Sequence, residues 1–139
     1  MSGYSYIQSA SLDALLAAGV PLQQWLGVRT ANGFRFIHWI AIEKTGESTW
    51  TVFDKDSLDQ GASGHRDLTE FFNDSDPDFP EGVGYDFGTI NEALGKSEAL
   101  GGSRDKFVRF CEIQLVYDSF VAQHGHLSRD SSEYFSPQS

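Results

Sequence analysis

Three consecutive runs of β-branched and aromatic residues between Val28 and Asp54 constrain the fold of this chain more than any other feature. Residues 28–30 lead into the turn-like Ala31-Asn32-Gly33. Residues 34–44 follow, then Thr45-Gly46-Glu47, then residues 48–54. Apolar runs split by short glycine-bearing turns read as hairpins, so the pattern predicts an antiparallel meander. With Thr45 to Glu47 as a three-residue loop, Ile42 faces Trp50, Ile40 faces Val52 and His38 faces Asp54. Trp39 and Trp50 then fall on opposite faces of the sheet. Burying both requires a cover on each side.

The rest of the chain supplies the covers. Ser11 is placed to cap a helix carrying Leu12, Leu15 and Leu16 at helical spacing, closed by Gly19. Pro21 opens a turn or short helical piece through Trp25 and Leu26. Residues 55–66 read as loop, and Leu68, Phe71 and Phe72 as a short helix. Residues 74–82, with two prolines and four acids, read as irregular. Thr89 caps a helical turn that ends at Gly95, and Gly101-Gly102 breaks the chain. Residues 103–123 fit either of two periods. As a strand they put Phe107, Cys111, Ile113, Leu115 and Tyr117 on one face, whereas as a helix their apolar residues wrap most of the circumference. An unbroken length of about 20 residues favours a buried helix. Residues 127–139 are polar and expected to fray. The fold expected is α+β, one domain over residues 1–139. It has an antiparallel sheet flanked by an N-terminal helix and a long C-terminal helix.

With 139 residues, 40% of them hydrophobic, the chain can bury a core of its own. No apolar run approaches the ~20 residues of a membrane helix. The first eight residues lack the basic start and apolar stretch of a secretory signal. The single cysteine, Cys111, excludes an internal disulfide and a cysteine-based zinc cage. These features point to the cytoplasm. The formal net charge is −10, unevenly spread. Residues 54–92 hold eleven acidic side chains against two basic ones, Lys55 and Arg66, a balance of −9. Such a field repels phosphate backbones, which argues against nucleic-acid binding, and draws a basic partner inward.

Among motifs, Asp74, Asp76 and Asp78 alternate as in a calcium loop. The sixth and twelfth positions of such a loop, Gly and Glu, are here Phe79 and Tyr85, so a solvated acidic loop is the expectation. Gly82, Gly84 and Gly88 lack the Lys-Ser or Lys-Thr of a phosphate loop, and nothing in the sequence sets them between a strand and a helix. His124 and His126 form no metal pattern, so neither a metal nor a cofactor is expected. The most informative pair is His38 with Asp54. On one sheet face the carboxylate would orient the ring and raise its pKa, as in half of a nucleophilic apparatus.

The stretches Ala14-Leu15-Leu16-Ala17-Ala18-Gly19-Val20-Pro21, Leu26-Gly27-Val28-Arg29, His38-Trp39-Ile40-Ala41-Ile42-Glu43 and Trp50-Thr51-Val52-Phe53-Asp54 resemble the transglutaminase-like branch of the papain-like cysteine enzymes. The resemblance covers residues 5–57. It implies a helix leading to a Gly-Ile-Pro-type turn, a catalytic His38 opening one strand and Asp54 ending the next. Where that family places its cysteine nucleophile, residues 4–11 carry none, and Ser5, Ser9 and Ser11 are the available hydroxyls.

The charge asymmetry supports a different reading. Asp74, Asp76, Asp78 and Glu81 are interleaved with Phe71, Phe72, Phe79, Tyr85 and Phe87, and rings among carboxylates suit an interface in which the rings anchor and the charges steer. The expectation is a non-catalytic binding or inhibitor protein, of the immunity-protein or phage anti-defence kind, that meets a basic protein partner. The alternative is an enzyme, or a degenerate relative, built on His38 and Asp54.

Overall fold

Leu22–Ala31 (β1), Phe34–Gly46 (β2), Thr49–Leu58 (β3), Val83–Phe87 (β4) and Val108–Arg109 (β5) form one antiparallel sheet in the order β4-β3-β2-β1-β5. The computed structural model describes residues 5–31, 33–59, 83–109 and 112–125. Among the described residues three α-helices, Leu12–Ala17 (α1), Ile90–Ala99 (α2) and Glu112–His124 (α3), and a 3-10 turn at Ser9–Ser11 complete an α+β domain.

The sheet buries both faces. On one, Leu22, Ile40, Ile42, Trp50 and Val52 pack against Leu12 and Leu16 of α1, Ala93 and Leu94 of α2, and Ile7 and Phe107. On the other, Ile37, Trp39, Ala41 and Val108 pack against Ile113, Val116 and Tyr117 of α3. Trp39 and Trp50 are buried on opposite faces, and each indole N–H finds an acceptor. Trp50 donates to the Leu16 carbonyl at 2.9 Å, and Trp39 donates to Ser57 Oγ at 3.0 Å.

The hairpin register differs from the expected one by two residues: His38 lies opposite Asp56, Ile40 opposite Asp54 and Ile42 opposite Val52. The turn is the pair Glu47-Ser48, with Gly46 opposite Thr49, and the ladder shifts between Lys44 and Gly46. A two-residue turn alone would reverse the faces of β2 relative to β3. Thr45, left over as a bulge, restores them.

Four further elements depart from expectation. Residues 22–26 are strand rather than turn or helix, because Gln24 disguises the pattern. It is buried, its amide donating to the Ser103 carbonyl at 2.9 Å and accepting from the Ser103 N–H at 2.7 Å. β3 runs on to Leu58, and β4 places Gly88 between a strand and a helix after all. Residues 103–123 are not one helix: a two-residue strand precedes α3. Phe107 enters the first core and Val108 the second, a strand alternation followed by a helical period. Together these read as an all-round apolar helix.

The helix ends follow local chemistry. Gly19, at φ 86°, closes α1 with bonds from Gly19 N to Leu16 O and from Val20 N to Leu15 O. Ser11 sits at the α1 cap position without a side-chain bond. Thr89 caps α2 by accepting from Glu92 N at 3.2 Å. That helix continues past Gly95 to Ala99, since Ala93, Leu94 and Ser97 are buried and their packing outweighs one helical glycine. At its end Gly102 N reaches Ser97 O at 2.9 Å, and a Cβ on Gly102 would lie 2.9 Å from that same carbonyl. Gly102→Ala is therefore expected to destabilise by about 1–3 kcal/mol. Gly95→Ala, exposed and with open space at its Cβ, should stabilise by about 0.5–1 kcal/mol. Urea unfolding of the two variants checks both signs.

Candidate functional site

Helices α1 and α2 cover only one end of the first sheet face. Beyond Ile40 the same face carries His38 and Phe36 of β2, Asp54 and Asp56 of β3, and Gly27 and Arg29 of β1. They share a face because directly paired residues do so and successive residues alternate. β1 reaches this alignment through a second bulge between Trp25 and Gly27, which brings Arg29 opposite Phe36.

The polar side chains form a ladder of alternating charge across three strands. His38 Nε2 lies 2.6 Å from Asp54 Oδ1, a diagonal contact that survives the two-residue register change because parity is kept. Arg29 donates to Asp56 Oδ2 at 2.6 Å, and its guanidinium lies 4.3 Å from the centre of the Phe36 ring. The hydrogen bond to Asp54 is the main reason the His38 pKa is raised. Partial burial opposes it, the charges of Asp54 and Asp56 add to it, and Arg29 subtracts.

A raised pKa favours the charged form in the fold. The His38 contribution is complete below the ordinary histidine pKa of about 6.5 and fades as pH rises through the higher folded value. Its size is limited because the two side chains are 36% and 25% exposed, and pairs so open to solvent are worth at most ~1 kcal/mol. His38→Gln should therefore cost stability at pH 5.5 and little at pH 8.5. Equal cost at both would show that the charged ring is not what matters. Denaturant titrations at the two pH values measure the difference.

The ladder floors an open groove of about 460 Å³. Leu26 and Val83 form its apolar rim, Val83 sharing a face with its partner Asp54; Val28 also borders it, but its pairing with Ile37 sends its side chain to the opposite face. Val28 and Val83 are two of the three large hydrophobic side chains that stand exposed among the described residues, at 40% and 39%. The lining holds a histidine and two carboxylates and, among the described residues, neither serine nor cysteine. Among the described residues no group of three or more His, Cys, Asp and Glu could hold a metal ion. No helix of the described residues is long and apolar enough to cross a membrane.

The remaining expected site residues are distributed as follows. Tyr85 and Phe87 are half-buried in β4, Tyr85 beneath Lys96 Nζ at 4.1 Å and Phe87 against the first core. Asp74, Asp76, Asp78, Glu81, Phe71, Phe72 and Phe79 lie outside the described residues, as do Cys111, His126 and residues 127–139. Asp59, which contributes to the acidic balance of the sequence, is not a surface charge. It pairs with Arg35 Nε at 2.9 Å and accepts from the Tyr117 hydroxyl at 2.7 Å, with the Arg35 and Asp59 side chains 7% and 4% exposed. The sequence signal for this network is Arg35 itself, an arginine of the same parity as Ile37 and Trp39 in a strand buried on that face. Val83, at the rim, was not expected as a site residue, because an isolated valine between glycines carries no signal of exposure.

No protein-family model, no curated protein sequence and no solved structure matches this chain.

Proposed function

We propose that this is a small acidic, non-catalytic binding protein of the cytoplasm that acts by engaging a basic protein partner, in the manner of immunity proteins and phage-encoded inhibitors of host defence. The observation that carries the reading is the concentration of charge, −9 of a total −10, in residues 54–92. A field of that strength accelerates encounter with a basic surface. The groove supports the reading, since the exposed Val83 beside Asp54 forms an apolar and acidic patch where β3 and β4 meet. The test compares capture by the wild-type protein with capture by the triple variant Asp74→Lys, Asp76→Lys, Asp78→Lys. One basic protein held by the first and lost by the second is the expected result. Equal capture by both removes the reading.

A second reading has one specific observation in its favour, the 2.6 Å contact between His38 and Asp54. It makes the protein a transglutaminase-like or papain-like enzyme, or a degenerate relative, with His38 as base and Asp54 orienting the ring. None of Ser5, Ser9 and Ser11 lines the groove that holds this pair. His38→Ala separates the readings: the enzyme loses all function with its fold intact, and the binding protein retains its partner.

A further inference from the structure

The geometry points to the groove over His38 and Asp54 as a receptor for one arginine side chain of a basic protein, with Asp54 taking the guanidinium and Leu26 and Val83 taking its methylene stem. The biological occupant rests on the basic-partner reading; the chemistry of the groove is argued from its own residues.

Three observations converge. First, the floor already seats a guanidinium: Arg29 lies on Asp56 at 2.6 Å with its face over Phe36. The same strand repeats the carboxylate two residues earlier, at Asp54, on the same face. Second, among the described residues the side-chain partner of Asp54 is a partly exposed imidazole, through one hydrogen bond. A guanidinium makes two charge-assisted bonds to a carboxylate where the ring makes one, so it can displace the ring. Third, Val83 stands 39% exposed at the rim and shares a face with Asp54, its direct partner across the strands. An arginine stem covers such surface while its head reaches the carboxylate. The volume of about 460 Å³ is ample for one such side chain. An anion is the poorer fit: Arg29 is committed to Asp56, and the whole chain is strongly acidic.

A linked proton follows. The charged groups facing His38 are Asp54 and Asp56 from β3, which favour its protonation, and Arg29 from β1, which opposes it. A guanidinium that takes Asp54 removes the main support of the charged ring, so binding releases a proton and tightens as pH rises through the His38 titration.

The probe is N-acetyl-arginine methylamide, titrated into the methyl-labelled wild-type protein and followed by NMR. We expect the Leu26 and Val83 methyl signals and the His38 ring signals to move together and to saturate. Asp54→Asn should weaken the interaction about tenfold or more. The lysine analogue should move the same signals with lower affinity, and the glutamate analogue should leave them still. The proposal is overturned if the glutamate analogue saturates these signals, if the arginine analogue leaves them unmoved, or if folded Asp54→Asn binds as the wild type does. Should Asp54→Asn fail to fold, the wild-type titrations decide. Movement of the same signals on concentrating the protein alone would assign the groove to a second copy and also overturn it. A captured basic partner with a groove silent to arginine refutes this site and leaves the proposed function standing. Arginine binding in the groove with no basic partner captured does the reverse.

Discussion

Asp59→Ala is expected to destabilise the fold by about 3–5 kcal/mol, because it leaves Arg35 charged, buried and without its carboxylate. Arg35 ties three elements together: it pairs with Asp59 at the end of β3, donates to the Gly125 carbonyl beyond α3 at 2.7 Å, and lies 4.9 Å from the centre of the Phe120 ring. Asp59 in turn accepts from Tyr117 of α3. Removing either charge strands the other, whereas replacing both, as Arg35→Met with Asp59→Leu, should recover most of the loss. A double-mutant cycle by chemical denaturation, with the denaturant slope checked for constancy, measures the coupling. Tyr117 adds a pH signature. Burial first, and then the bond to Asp59, push its hydroxyl pKa well above the ordinary tyrosine value. A raised value favours the neutral form, so its contribution is intact below pH 10 or so and is lost as the medium becomes more alkaline. Tyr117→Phe should therefore flatten the alkaline fall in stability seen in the wild type.

The largest functional effect is expected from charge reversal at Asp74, Asp76 and Asp78. Three aspartates become three lysines, which moves the local charge by six units. Association with a basic partner should slow by about 10–100-fold at low salt, and its salt dependence should flatten. Dissociation should change far less. Phe79→Ala should show the opposite split, faster dissociation with little change in association, if the ring anchors in the partner. Stopped-flow or surface kinetics at two salt concentrations resolves the two rates. An unchanged association rate in the triple lysine variant contradicts steering by this segment.

The site was legible in the sequence further than the register was. His38 and Asp54 meet although the expected pairing placed them directly opposite and the structure places them diagonally. The error was an even number of residues, and even errors preserve faces. The covers of the two tryptophans were legible for the same reason: parity alone separates Trp39 from Trp50. Elements whose patterning is carried by polar or glycine residues were not legible. Gln24 substitutes side-chain bonds to Ser103 for an apolar contact, so β1 does not alternate in the usual way. Gly84 and Gly88 mask a strand whose pairing comes from distant β3. Arg35 and Asp59 count as surface charges in composition and are core residues in space. That relation depends on α3, which no local window contains.

The bulge at Thr45 carries a consequence for how this chain can change in length. Connections on protein surfaces ordinarily tolerate insertion and deletion. Here the bulge is a reserve of one residue. Loss of Thr45 consumes it, and a plain two-residue turn then keeps Lys44 opposite Trp50 and every pair beyond. A second loss has no bulge to draw on and must remake the turn or turn β2 over, which would send Trp39 toward α1 and α2, send Ile40 toward α3, and carry His38 away from Asp54. A library of single and double deletions scored for folding is therefore expected to retain the Thr45 deletion and to lose most double deletions.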